Sequence, residues 1–106
     1  MKELLSEVQT SVFMEYQRAA EKFGKSNNSS HESYAVILEE FEEATDASGT
    51  FSALLKSFWL AVKGNNQQMQ DVFFSDMKEF AQNAAAEWIQ VAAMCYKATR
   101  TNEEQL

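Results

Sequence analysis

The feature that most constrains this chain is a lack of interruptions. In 106 residues there is no proline, and the three glycines are Gly24, Gly49 and Gly64. Proline and glycine are the strongest local breakers of regular structure, so long stretches can only run as continuous elements. Each glycine lies in a short polar stretch: "GKSNNSS", "DASGT" and "KGNNQQ". Glycine is common just past a helix end because it adopts the left-handed conformation without strain. Three stops predict four helices.

The apolar spacing agrees with helix and not strand. Leu5, Val8, Val12, Tyr16, Ala19 and Phe23 recur at alternating three- and four-residue intervals, which predicts a first helix over about 2–23 with this stripe in the core. A second helix is expected after "NNSS", where Ser29 and Glu32 fit a capping box, and is expected to run to about Asp46. The third starts near Thr50 and carries Phe51, Leu54, Leu55, Phe58, Trp59 and Val62 on one side, ending at Gly64. The fourth runs from about Gln67 to about Thr99 with an apolar face of Phe73, Met77, Phe80, Ala84, Trp88, Val91 and Cys95. The reading is an all-α four-helix bundle with a long C-terminal helix, one domain over residues 1–106. Helices 2 and 4 carry apolar residues on more than one face, which predicts assembly as a dimer or larger oligomer.

Charge narrows the function classes. A formal net charge of −7 argues against a duplex nucleic-acid surface, which needs clustered Lys and Arg. No apolar run approaches the ~20 residues that span a bilayer, and "MKELLSEVQT" lacks the apolar core of a signal peptide. The expectation is a cytoplasmic protein with no membrane partner. The lone Cys95 has apolar neighbours and reads as a small buried hydrophobe. His31 reads as a first-turn surface residue.

The candidate chemistry lies in the carboxylates. In "HESYAVILEEFEEATDA" the helical period gathers Glu32, Glu39, Glu40 and Glu43 on one arc with Val36 and Ala47, opposite Tyr34, Ile37, Leu38 and Phe41. Glu39 and Glu43 are like charges one turn apart, which costs a few tenths of a kcal/mol, and no lysine relieves them. The segment "AAAEWIQVAAMCY" raises the matching question, since Glu87 and Gln90 share one face of an otherwise apolar run, on a stripe with Asn83 and Lys97. A buried carboxylate needs a cation or hydrogen bonds. A metal shared with the second-helix glutamates would satisfy Glu87, and so would a tyrosine, lysine or arginine. Oxygen donors without His or Cys suit Mg²⁺ or Mn²⁺ and disfavour zinc.

The stretch "EEFEE", as Glu39-Glu40-x-x-Glu43, followed by Glu87-x-x-Gln90, resembles the EExxE and ExxD motifs of the MazG-like all-α nucleoside triphosphate pyrophosphohydrolases. "HESYAVILEEFEEA" and "AAEWIQVAAM" are similar to small Gram-positive bacterial and phage members, with the order of elements matching over roughly 16–98. The resemblance implies hydrolysis of a nucleoside triphosphate to a monophosphate and pyrophosphate. It implies Mg²⁺ held by Glu39, Glu40, Glu43 and Glu87, with Gln90 as a neutral oxygen ligand. Glu39 or Glu43 would assist as base while the metal neutralises the phosphates and acidifies a water. Lys97 and Asn83 are the candidate substrate contacts, Lys97 reading equally as a solvated lysine near a helix end. Trp59, Trp88 and Tyr96 could stack on a base, although aromatics at helical spacing more often serve the core. Where the family has aspartate this chain has Gln90, which predicts weaker metal binding or lost catalysis. The alternative is a catalytically silent acidic helical module that binds a protein partner.

Overall fold

The computed structural model describes the backbone of residues 1–105 and the side chains of residues 1–100. Three helices account for nearly all of it: α1 Lys2–Phe23, α2 Ser30–Lys63 and α3 Gln67–Gln105. The expected all-α class is observed, but the expected four helices are three. The second and third predicted helices are one element, because Gly49 lies in the interior of α2 and stops nothing. A helical glycine costs only about 1 kcal/mol relative to alanine, which the flanking turns can absorb. The Thr50 hydroxyl folds back along this continuous helix, donating to the Asp46 carbonyl at 3.2 Å.

The other two stops hold, by different devices. Gly24 takes a positive φ of 94°, the conformation glycine alone adopts cheaply. Gly64 stays at φ −87°, and the left-handed residue of that turn is Asn65 at φ 54°. Asn66 then caps α3, its side-chain oxygen accepting from the Met69 N–H at 3.1 Å. At the start of α2, the Ser29 hydroxyl accepts from the Glu32 N–H at 3.1 Å, half of the expected capping box.

The molecule is elongated, 61 × 29 × 22 Å. Its radius of gyration is 17.9 Å, against the ~13 Å of a compact chain this long. Both α1 and α2 lie along α3. Because α1 has only 22 residues, it covers one end of a longer α2–α3 hairpin. The end with three helices contains Tyr16, Ala93 and Met94 as its buried centre, with Val12, Ala19, Ala20, Val36, Ile37 and Tyr96 packed around them. The rings of Phe13, Tyr16 and Tyr96 meet there, Tyr16 and Tyr96 at 4.8 Å between centroids.

Beyond α1, the hairpin is two helices with no third layer among the described residues. Met77 and Ala84 are buried along its seam, and Phe58 packs on Phe74 at 4.9 Å. Several expected core positions are exposed. Leu5 and Phe23 project at the ends of α1, and Leu55 and Trp59 lie on the uncovered side of α2. Cys95 is exposed as well, because α1 packs over Ala93 and Tyr96 on a neighbouring stripe of α3. No described helix is long and apolar enough to cross a membrane.

Candidate functional site

The acidic arc of α2 faces α3 near the middle of the molecule. Ala44, fully buried, and Ala84, nearly so, leave no bulk at this crossing, and the two helices can approach closely. Glu43 precedes Ala44 by one residue and Glu87 follows Ala84 by three, so the same close approach brings carboxylates together across the seam. Glu40, Glu43 and Glu87 each offer an oxygen within 4.8 Å of the other two. Glu39 lies beside them on the wall of the adjoining cavity.

Burial pushes the Glu40 carboxyl above its ordinary value, and the negative charges of Glu43, Glu87 and Glu39 add to the shift. A hydrogen bond with Glu43 acts in the same direction. Glu40 is therefore the carboxyl on which the other three charges act. Mg²⁺ holds its oxygen ligands at about 2.0–2.1 Å, so ligand oxygens on one ion sit roughly 3–4 Å apart. Small side-chain rotations would bring the three oxygens to that spacing, and the donor set of hard oxygens fits the ion.

A cavity of about 440 Å³ opens beside the cluster, between all three helices. Glu32, Glu39 and Glu40 form its acidic side on α2, while Ala19 and Phe23 of α1, Val36 and Met94 make it apolar elsewhere. Gln90 and Lys97 line it from α3. Lys97 is only 5% exposed, so the solvated-lysine reading is wrong. The cavity holds a cation in its wall opposite an acidic arc. Asn27 of the α1–α2 connection is also buried there, donating to the Ser33 hydroxyl at 2.9 Å.

The other sequence candidates fall differently. The carboxamide of Gln90 donates to Glu15 of α1 at 2.6 Å, and Glu15 is also paired with Arg18. Its partner is thus a side chain of α1, and this bond ties α1 to α3 at the cavity edge. Asn83 is exposed and does not line the cavity. His31 is exposed in the first turn of α2, as its position suggested. Trp88 donates to the Ser48 hydroxyl at 3.1 Å and meets Phe41 edge-on, and Tyr96 belongs to the aromatic centre. Both serve packing. Trp59 is exposed, with the Lys63 ammonium 5.7 Å from its ring centroid.

Sequence reasoning missed Glu15 and Asn27. Glu15 sits beside apolar Met14 and one turn before Ala19, and only the docking of α1 gives it a role. No protein-family model matches the chain, nor does any curated protein or solved structure.

Proposed function

We propose that the protein is a Mg²⁺-dependent nucleoside triphosphate pyrophosphohydrolase of the MazG-like kind, weakened at the position of Gln90. One observation carries this reading. Glu40, Glu43 and Glu87 come from two helices more than forty residues apart in sequence, yet their carboxylate oxygens lie within 4.8 Å of one another. Like charges so placed raise the energy of the metal-free fold, and a divalent ion removes that cost. The spacing of Glu39, Glu40, Glu43 and Glu87 is also that of the motifs the chain resembles.

In this reading Glu40, Glu43 and Glu87 hold the ion, which when bound neutralises triphosphate charge and makes a water more acidic. Glu39, exposed at the cavity rim, is the group available to accept a proton from that water. Lys97, buried in the cavity wall, faces the substrate as a fixed cation. The apolar side formed by Phe23, Val36 and Met94 receives the nucleoside.

A second reading has its own observation. The Gln90 carboxamide is bonded to Glu15, so the residue in place of the motif's aspartate has a structural job. That favours a silent acidic module with the site's geometry and none of its turnover. One experiment separates the two: incubation with a panel of nucleoside triphosphates and Mg²⁺ or Mn²⁺, with detection of pyrophosphate. The enzyme reading expects release that Glu43→Gln reduces by at least a hundredfold. Metal-stabilised melting without pyrophosphate leaves the silent module, and neither response ends the metal site altogether.

A further inference from the structure

One polar contact joins α1 to α3 at the edge of the cavity, the Gln90 carboxamide nitrogen donating to a Glu15 carboxylate oxygen at 2.6 Å. Its chemistry runs one way only. The other Glu15 oxygen is paired with Arg18, one turn further along α1, and at neutral pH a carboxylate paired with a guanidinium is ionised, accepting hydrogen bonds and donating none. An amide has nearly the same shape when flipped, so packing alone does not choose between its nitrogen and its oxygen. Glu15 does choose, because it can receive only the nitrogen. Its side chain is only 20% exposed, which holds this acceptor in place.

The choice bears on the cavity. Gln90 lines it with Glu39, Glu40 and Lys97, whereas Glu15 is not part of its wall. With the nitrogen committed to α1, the oxygen is the end of the amide left to the cavity. Gln90 shares a helix face with Glu87, one turn earlier on α3, and the Glu87 carboxylate meets Glu40 and Glu43. Glu15 also bears on which residue fits at this position, since a carboxylate of the same length as glutamine would set like charge against like where Gln90 now donates. Glutamine suits both neighbours, as a donor to α1 and an acceptor toward the acidic cluster.

We infer that Glu15 is a positioning residue of the acidic site, which by holding the Gln90 nitrogen turns the carboxamide oxygen toward the cavity as a neutral ligand. A flipped amide would aim N–H groups at a bound cation and repel it. Partners that orient a metal ligand in this way commonly change metal affinity by about 10- to 100-fold when lost. The consequence for metal binding rests on the reading of Glu40, Glu43 and Glu87 as Mg²⁺ ligands. The orientation of the amide does not.

Nuclear magnetic resonance of the full chain in chelator tests the orientation without metal and without a variant. The Gln90 side-chain amide protons should show Overhauser contacts to the Glu15 side chain and none to the methyl groups of Val36, across the cavity. Glu15→Gln keeps an acceptor for Gln90 but adds a donor, so both orientations become allowed while the hydrogen bond survives. Titration with Mn²⁺ alone then reads the consequence. Glu15→Gln should weaken Mn²⁺ binding by about tenfold or more, whereas Glu21→Gln, which removes the same charge from an exposed position of α1, should weaken it far less. A parent whose Gln90 amide protons contact Val36 in place of Glu15 overturns the inference. So does Glu15→Gln that binds Mn²⁺ as tightly as Glu21→Gln. A parent that binds no Mn²⁺ yet shows the Glu15 contacts upholds the orientation and ends the metal reading alone, which keeps the two failures apart.

Discussion

The two ends of the molecule solve the same problem differently. Where α1 is present, Tyr16, Ala93 and Met94 are buried among three helices, and the polar groups nearby find named partners within the chain. Tyr16 donates to the Lys25 carbonyl at 2.8 Å, and Gln90 donates to Glu15. Where α1 is absent, the same pair of helices buries only its seam and leaves Leu55, Trp59 and Phe74 in the open. Two packed helices expose the flanks of both apolar stripes, and a third layer is what removes them from water. The cavity with Lys97 in its wall exists only at the three-helix end, because only there do three faces converge.

The sharpest way to break this comparison is to cut a large side chain out of each end. Tyr16→Ala removes a side chain at the centre of the aromatic cluster, and the expected loss is about 3–5 kcal/mol in urea unfolding. Leu60→Ala at the other end trims a side chain that is 63% exposed, and should change stability by less than about 0.5 kcal/mol. Equal losses at the two positions would mean that the hairpin end is packed as tightly as the three-helix end. A Tyr16→Phe variant isolates the hydroxyl, which is expected to account for about 1 kcal/mol.

The continuity of α2 between the ends gives a smaller and opposite effect. Gly49 is helical, and a Cβ built there meets nothing within 4 Å. Gly49→Ala should therefore stabilise by about 0.5–1 kcal/mol, through helix propensity and a less flexible unfolded chain. A helix broken at Gly49 would respond with a loss instead. Thermal melts at fixed protein concentration distinguish the signs.

This position also shows what the sequence could and could not reveal. The helical class, the first helix and the Ser29 cap were legible because they rest on local spacing and local hydrogen bonds. The break at "DASGT" was misread because glycine marks helix ends and tolerated interiors alike, and only the tertiary seam around Ala44 decides between them. The glutamates of α2 were legible as an unrelieved acidic arc, and Glu87 as a lone acid in an apolar run. That their oxygens meet depends on the crossing at Ala44 and Ala84, which periodicity alone does not fix. Gln90 was legible as a polar residue needing a partner, but its partner Glu15 lies 75 positions away, beyond the reach of any local rule.

The smallest expected effect sits where the two ends join, at Glu40. Its carboxyl titrates above the ordinary value because burial and the charges of Glu43, Glu87 and Glu39 all disfavour ionisation. In the window between the unfolded and folded values, the folded chain binds more protons than the unfolded one, so stability falls as pH rises through it. Above the window the charged form is a standing cost. Glu40→Gln removes that cost, so without metal the variant should melt higher than the parent at neutral pH. Below the carboxylate range the parent is protonated and the advantage should vanish. With Mg²⁺ at neutral pH the order should reverse if the cluster holds the ion, because the parent gains a ligand that the variant has lost. A pH series of melts in chelator, repeated with Mg²⁺, reads both signs. A variant that melts lower than the parent in chelator at every pH would show that Glu40 is stabilised by something other than the proton and the ion.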